Sequence, residues 1–299
     1  MYQIFISIRR FFRHIYYYLT AETFVAVYPD IKAKEYKANL FEYHPDRFYD
    51  IEQPYNLGDY LSFVVVEWML KREKLQRDSA TQKKYTHLNS IGSNVFSSYQ
   101  NSTIWGSGAG AKDELSNRLS RIFNRHPMRR LDIRAVRGPY TREKLIEYGH
   151  KCPEVYGDPA ILMPLIYAPS ISDKKRDVLI IPQFLYEKEV KEKYQQYEQV
   201  SMNTNDYEAV INAIVSSKKV ITSSLHAIIL AEVYGIPAVF FQSLPKDFKF
   251  RDYYASTGRY DVKIAHSIEE ALTMEPMPIP DFSKIQSDLI DSFPYDLWK

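Results

Sequence analysis

The chain of 299 residues contains one cysteine, Cys152. A single thiol excludes an internal disulfide framework and a multi-cysteine zinc site, and it fits a reducing compartment such as the cytoplasm. Glycine is scarce, ten residues in all, which argues against long flexible linkers. No uninterrupted apolar run reaches the ~20 residues a membrane-spanning helix needs. Charge of one sign is also missing: 39 Lys and Arg face 37 Asp and Glu, a net charge of +2. That balance carries no polyanion-binding signature, so nucleic acid is not an expected partner. There is no H-E-x-x-H, no Cys/His cluster and no D-x-D pair, so no metal is expected. A G-x-S-x-G nucleophile elbow, a Walker motif and a G-x-G-x-x-G dinucleotide fingerprint are absent as well.

What remains is ordinary for a soluble globular protein, with 45% hydrophobic and 25% charged residues. The length suits one large or two medium domains, each able to bury a core. Tyrosine is abundant, 25 residues. Its ring can stack on sugars or bases, but it serves equally as a core or surface residue.

Residues 1–23 form an amphipathic segment. Ile4, Ile8, Phe11 or Phe12, Ile15 and Leu19 share a helical face, with Arg9, Arg10 and Arg13 mostly elsewhere. Such a helix over residues 1–20 can lie in a membrane interface, as a peripheral contact on the inner face of the membrane. A terminal helix docked on its own domain or on a partner explains it as well. Phe41-Glu42-Tyr43 is a candidate strand. Asn56-Leu57-Gly58-Asp59 reads as a turn, with Asp59 as N-cap of a helix from Tyr60 to about Lys71. Four strand patterns follow, Tyr85–Ser93, Ser102–Gly108, Asp132–Pro139 and Glu154–Pro159, with a helix over Tyr140–Tyr148. Each strand pattern ends in small or polar residues, which in a doubly wound sheet line one rim of a cleft. Gly106-Ser107-Gly108-Ala109-Gly110 has the composition of a backbone anion cradle.

Met163–Asp177 reads as a linker, after which the pattern restarts. Asp177–Pro182 is a buried strand, Tyr186–Tyr197 a helix, Glu198–Met202 a strand, and a capped helix runs to Ser216. The stretch from Val220 to Phe241 follows: a β-branched run, two serines, an apolar helix from Leu225 to Gly235, and a strand at Ala238. This β-α-β order implies a parallel α/β sheet, with ligands at helix N-termini beyond the strand ends. His226 sits in that first helical turn. Val262–Ile264 is a further strand pattern, and Asp281–Lys299 is amphipathic and able to cross back to the first half. The division read from these patterns is 1–23, 24–168, 169–280 and 281–299.

Arg137, Ser223, Ser224, His226, Lys249 and Arg251 stand near the predicted strand ends. Cations and hydroxyls in such places commonly bind phosphate or carboxylate. Singly, each has a bland explanation: arginines are usually solvated, and a histidine after Leu225 can be a packed core group.

The motifs N-L-G-D (56–59), W-G-S-G (105–108), V-R-G-P-Y-T (136–141), G-D-P-A (157–160), S-S-L-H-A-I-I-L-A-E-V-Y-G-I-P (223–237) and F-R-D-Y-Y (250–254) resemble, in order and spacing, the polysaccharide pyruvyl transferase family. The resemblance covers roughly residues 50–260. It implies a GT-B-like α/β fold, with two Rossmann-like domains and parallel sheets around a central cleft. The first domain takes the acceptor and the second the donor. It implies transfer of a carboxyethylidene group from phosphoenolpyruvate, a co-substrate, to a galactose-type sugar of a surface or capsular glycan or lipid-linked oligosaccharide precursor, with no other cofactor. His226 becomes the acid that protonates the methylene carbon, since imidazole is suited to proton transfer near neutral pH. Asp59 is the candidate base for the acceptor hydroxyl. The donor contacts are Arg137, Ser223, Ser224, Leu225, Lys249 and Arg251, and the acceptor or cleft residues are Asn56, Gly58, Gly106, Ser107 and Asp158. In the family an arginine often precedes the Leu–His pair; here Ser224 stands there, and Arg137, Lys249 and Arg251 are the candidate replacements. Two other readings share the same features: a glycosyltransferase using a sugar nucleotide, and a non-catalytic glycan-binding protein.

Overall fold

Runs rich in β-branched and apolar residues set the longer strands, as in Arg176–Ile181 and Ser217–Thr222. The structure, a computed structural model, describes residues 25–28, 56–75, 86–97, 102–110, 125–169, 176–183, 186–242 and 247–298. In the first half, β1 (Val25–Tyr28), β2 (Thr86–Asn89), β3 (Ser102–Trp105) and β4 (Leu131–Ala135) form a parallel sheet in that order. In the second, β5 (Arg176–Ile181), β6 (Glu198–Gln199), β7 (Ser217–Thr222) and β8 (Ala238–Phe240) form a parallel sheet of order β6-β5-β7-β8. The chain is therefore α/β with two parallel sheets. The order of the second reverses between β5 and β7, and such a switch point is where open α/β sheets take ligands.

The helices are α1 (Leu57–Arg72), α2 (Pro139–Glu147), α3 (Met163–Ile166), α4 (Glu187–Lys193), α5 (Tyr207–Val215), α6 (Leu225–Val233), α7 (Phe248–Ser256), α8 (Ile268–Thr273) and α9 (Ser283–Asp291). Helix α1 begins earlier than its pattern predicts. Asn56 is its cap, with Oδ1 accepting from the Gly58 N–H at 3.0 Å, and Asp59 lies inside the first turn. Both residues are good cap formers. Asn56 prevails because the start at Leu57 buries that side chain completely.

Other expectations need correction. Glu154–Pro159 is not a strand: Tyr156 makes one isolated bridge to Val136, and Pro159–Leu162 is a 3-10 turn. Val262–Ile264 is not a strand either; pairing there is the single bridge of Phe241 to Ala265. Strand β1 was not singled out by its pattern, because four residues are too few to show a period. The expected linker at Met163 starts with a helical turn whose first residue is fully buried. Phe41–Tyr43 and the segment 1–23 lie outside the described residues. Among the described residues no helix is long and apolar enough to cross a membrane.

One core joins the two halves. Leu57, Leu61, Val65 and Met69 of α1 pack in the same cluster as Leu225, Ile228 and Ile229 of α6, with Ile161 and Leu162 of the 3-10 turn. Both helices are apolar around much of their circumference, as helices enclosed between layers must be. Smaller clusters cover the outer faces, Ile180, Ile221 and Val239 on the second sheet and Ile104, Ile133 and Val136 on the first. The tail returns to the first half. The Trp105 indole N–H donates to the Leu289 carbonyl at 2.9 Å, and the Tyr295 hydroxyl donates to that of Met69 at 3.1 Å.

Candidate active site

The loop after β7 faces the loop after β5 at the switch point. The Ser223 hydroxyl accepts from the Gln183 N–H at 2.8 Å, and the Ser224 N–H donates to Thr222 Oγ1 at 2.9 Å. Ser223 is thereby committed to holding the two strand ends together. Ser224 occupies the N-cap of α6, yet its hydroxyl makes no capping bond. The first amides of a helix have no intrahelical acceptor and attract anions. Leu225 is buried, so only its backbone faces this end.

His226 lies one residue further on and meets the first half. Its ring packs directly against Gly58: a Cβ at that position would stand 1.8 Å from Nδ1. On its other edge, Nε2 lies 3.7 Å from Asp158 Oδ2. Asp158 is fully buried, and its Oδ1 caps the 3-10 turn by accepting from the Ala160 N–H at 3.1 Å. Asp158 Oδ2 and His226 Nε2 are both buried without a hydrogen-bond partner.

Arg137 is fully buried and its guanidinium serves the protein. It donates to Asp252 Oδ2 at 3.1 Å, to the Ser93 hydroxyl at 2.7 Å and to the Ala109 carbonyl at 2.6 Å. Asp252, on α7, also accepts from the Thr141 N–H and hydroxyl at the start of α2. Gly108 lies against the guanidinium, where a Cβ would approach within 2.2 Å. The glycine loop is thus wrapped on Arg137. Its Gly106, Gly108 and Ala109 amides donate to Ala135 O, Gly92 O and Thr141 Oγ1. These donors are used internally, so the loop is not the open anion cradle that its composition suggests. Ser107 likewise donates its hydroxyl inward, to Gly92 O and Asn94.

Lys249 stands in the first turn of α7, its ammonium 4.9 Å from the Phe250 ring centroid. Burial, and then the nearby charge of Arg137, push its pKa down to about 8, with Asp59 acting in the opposite direction. The side chain keeps some solvent exposure even though its ammonium is surrounded by protein. Arg137 and Asp59, the latter next to Gly58 in α1, are therefore both within electrostatic reach of Lys249. Asn56 holds the end of α1 and bridges to Asn203, while the Leu57 N–H donates to Met202 O at 2.8 Å.

Arg251 is elsewhere. It pairs with Asp247 and lines a separate groove with Tyr140, Glu143, Lys144, Glu147 and Phe248. Asp252, Ser93 and Thr141 were not picked out from the sequence. Asp252 lies within the F-R-D-Y-Y motif, but its role as the counter-ion of Arg137 depends on contact between residues 115 positions apart. Among the described residues no group of three or more His, Cys, Asp or Glu side chains is placed to hold a metal ion.

A family model described as polysaccharide pyruvyl transferase matches residues 31–243. An uncharacterized protein of Acanthamoeba polyphaga mimivirus is 26% identical over 215 residues, covering 68% of this chain and 71% of that protein. The crystal structure of an uncharacterized protein from Klebsiella pneumoniae subsp. pneumoniae superposes with a TM-score of 0.47 at 15% identity, covering 72% of this chain and 90% of that one.

Proposed function

Because the chain belongs to the polysaccharide pyruvyl transferase family, we propose that it transfers a carboxyethylidene group from phosphoenolpyruvate to two hydroxyls of a sugar in a surface or capsular polysaccharide precursor. A galactose-type sugar, free or on a lipid-linked oligosaccharide, is the acceptor class to which this reading commits. The observation that carries it is the position of His226: in the first turn of α6, at the sheet's switch point, against the α1 N-terminus of the other half.

The chemistry follows from the donor. Phosphoenolpyruvate carries a phosphate and a carboxylate, which call for aligned N–H groups and a cation. The α6 N-terminus and the Ser224 hydroxyl supply the donors. Lys249 supplies the charge that Ser224 does not, since that of Arg137 is balanced by Asp252. His226 gives its proton to the methylene carbon, which becomes a methyl group and leaves C2 cationic. One sugar hydroxyl adds to C2 and loses its proton to Asp59. The C2–O bond to phosphate breaks, and the second hydroxyl closes the ketal. The two hydroxyl protons balance the sum: one restores His226 and the other leaves with phosphate. Phosphoenolpyruvate is an intracellular metabolite, so the reaction belongs in the cytoplasm. Residues 1–20 would keep the enzyme near lipid-linked acceptors on the inner membrane face.

The test is phosphate release from phosphoenolpyruvate in the presence of galactosides, with UDP- and CMP-sugars as rival donors. Turnover of a sugar nucleotide without phosphoenolpyruvate-dependent phosphate release would instead establish a glycosyltransferase. Glycan binding without turnover of any donor would establish a binding protein.

A further inference from the structure

The two oxygens of Asp158 have different environments. Oδ1 is fixed by the Ala160 N–H, at the head of a turn in which Pro159, Ala160, Ile161 and Leu162 are all buried. That turn packs against α1, α6 and α9, so the carboxylate is anchored from the core. Oδ2 has no partner and points at His226 Nε2, which also has none, across 3.7 Å. A buried polar atom without a partner is costly, and two facing each other mark a contact that closes. A movement of about 1 Å brings them to N–H···O distance. A carboxylate only accepts, so the proton on this edge of the imidazole belongs to Nε2.

We infer that Asp158 is the positioning residue of His226: it holds the ring with Nε2–H toward Oδ2 and leaves Nδ1 as the nitrogen that carries and delivers the catalytic proton. The ring's surroundings agree with this. The imidazole is 15% exposed while Nε2 is enclosed, so the exposure lies on its other atoms. Nδ1 is the atom beside Gly58, where the missing side chain lets the ring come up against the start of α1. Asp59 adjoins Gly58 on α1, and Lys249 on α7 lies within electrostatic reach of Asp59. Asp158 thus lies on the Nε2 edge of the ring, away from the Nδ1 edge that meets α1.

The inference rests on the transferase reading only for the name of the proton's destination, and Asp158→Asn separates the two. Asparagine has one side-chain oxygen, which the Ala160 cap requires, so its NH2 faces His226 Nε2. Two donors cannot face each other. The neutral ring must turn to the Nδ1–H tautomer, and the doubly protonated acid is disfavoured. Long-range 1H–15N spectra of the full chain labelled with 15N-histidine, with His226 assigned by H226Q, report the tautomer directly. The wild-type protein is expected to show Nε2–H and D158N to show Nδ1–H. In D158N kcat should fall by about 10²–10⁴, with KM for phosphoenolpyruvate little changed. An Nδ1–H tautomer in the wild-type protein, which needs no variant to fold, overturns the role of Asp158 whatever the reaction. Unchanged kcat in folded D158N overturns it too. Absence of ketal formation by the wild-type protein overturns the transferase reading instead.

Discussion

Gly58 and His226 come from opposite halves of the chain, and the imidazole of the second occupies the place where a side chain of the first would be: a Cβ on residue 58 would stand 1.8 Å from Nδ1. The N-L-G-D and S-S-L-H motifs are therefore two sides of one contact. The glycine is required by close approach, since its backbone takes no left-handed conformation. Gly58→Ala should push the ring or the start of α1 aside. Misplacement of a catalytic group by about 1 Å can cost about 10²-fold in rate, and kcat of G58A should fall by that order. Steady-state kinetics beside a thermal melt checks this, and full activity in G58A would show that the contact is not needed for catalysis.

Lys249 should set the alkaline limb for the donor. Its pKa is pushed down to about 8, and its charge is present below that value and lost above it. A dianionic or trianionic donor needs the charged form. The value of kcat/KM for phosphoenolpyruvate should show a break near pH 8, above which loss of this charge lowers it by about a further tenfold per pH unit. Lys249→Met should lower kcat/KM at neutral pH and abolish this break. Persistence of the same break in K249M would assign it to another group.

Arg137 and Asp252 tie the β4–α2 junction to α7, with both side chains fully enclosed. Removal of one partner from such a pair leaves a buried charge and costs about 3–5 kcal/mol. Asp252→Ala should therefore lose about that much in urea denaturation. A variant within about 1 kcal/mol of wild type would mean that water reaches the arginine.

Much of this arrangement was legible before the structure, and the parts that were not share a cause. The β7–α6–β8 unit was readable because its signals are local: a β-branched run, two serines and an apolar helix. Helix α1 was readable except for its start, where Asn56 and Asp59 offered equivalent caps. The stretch Glu154–Gly157 has strand-forming residues, but it finds only Val136 to pair with, and a single bridge makes no strand. The site depended on the least local facts. Nothing near Arg137 in sequence announces Asp252, and Gly106–Gly110 has the look of an anion loop until the acceptors of its amides are known. Residue types at the strand ends marked the candidates; only the packing separated Lys249 from Arg137 and Arg251.

The tail from residue 281 onward is expected to be part of the fold. Leu289, Phe293, Leu297 and Trp298 are buried in the shared core, and Phe293 meets the Trp105 ring edge-on at 4.8 Å. Burial of a large apolar side chain stabilises by about 1.5–3 kcal/mol, so four together approach the whole stability of a typical domain. Deletion of residues 281–299 should leave Trp105 exposed, with a red-shifted fluorescence maximum and no cooperative melt. A cooperative transition at the wild-type temperature would contradict this.

Proton delivery to carbon is the central step, and solvent deuterium reads it directly. Full-length protein, phosphoenolpyruvate and a galactoside in D2O should yield a pyruvate ketal whose methyl group carries one deuterium from solvent, with one phosphate released per ketal. Mass spectrometry and 13C NMR of the product measure both, and H226A should form it more slowly by about 10²–10⁴. A product without solvent deuterium, or the same rate of labelled ketal from H226A, would contradict the account.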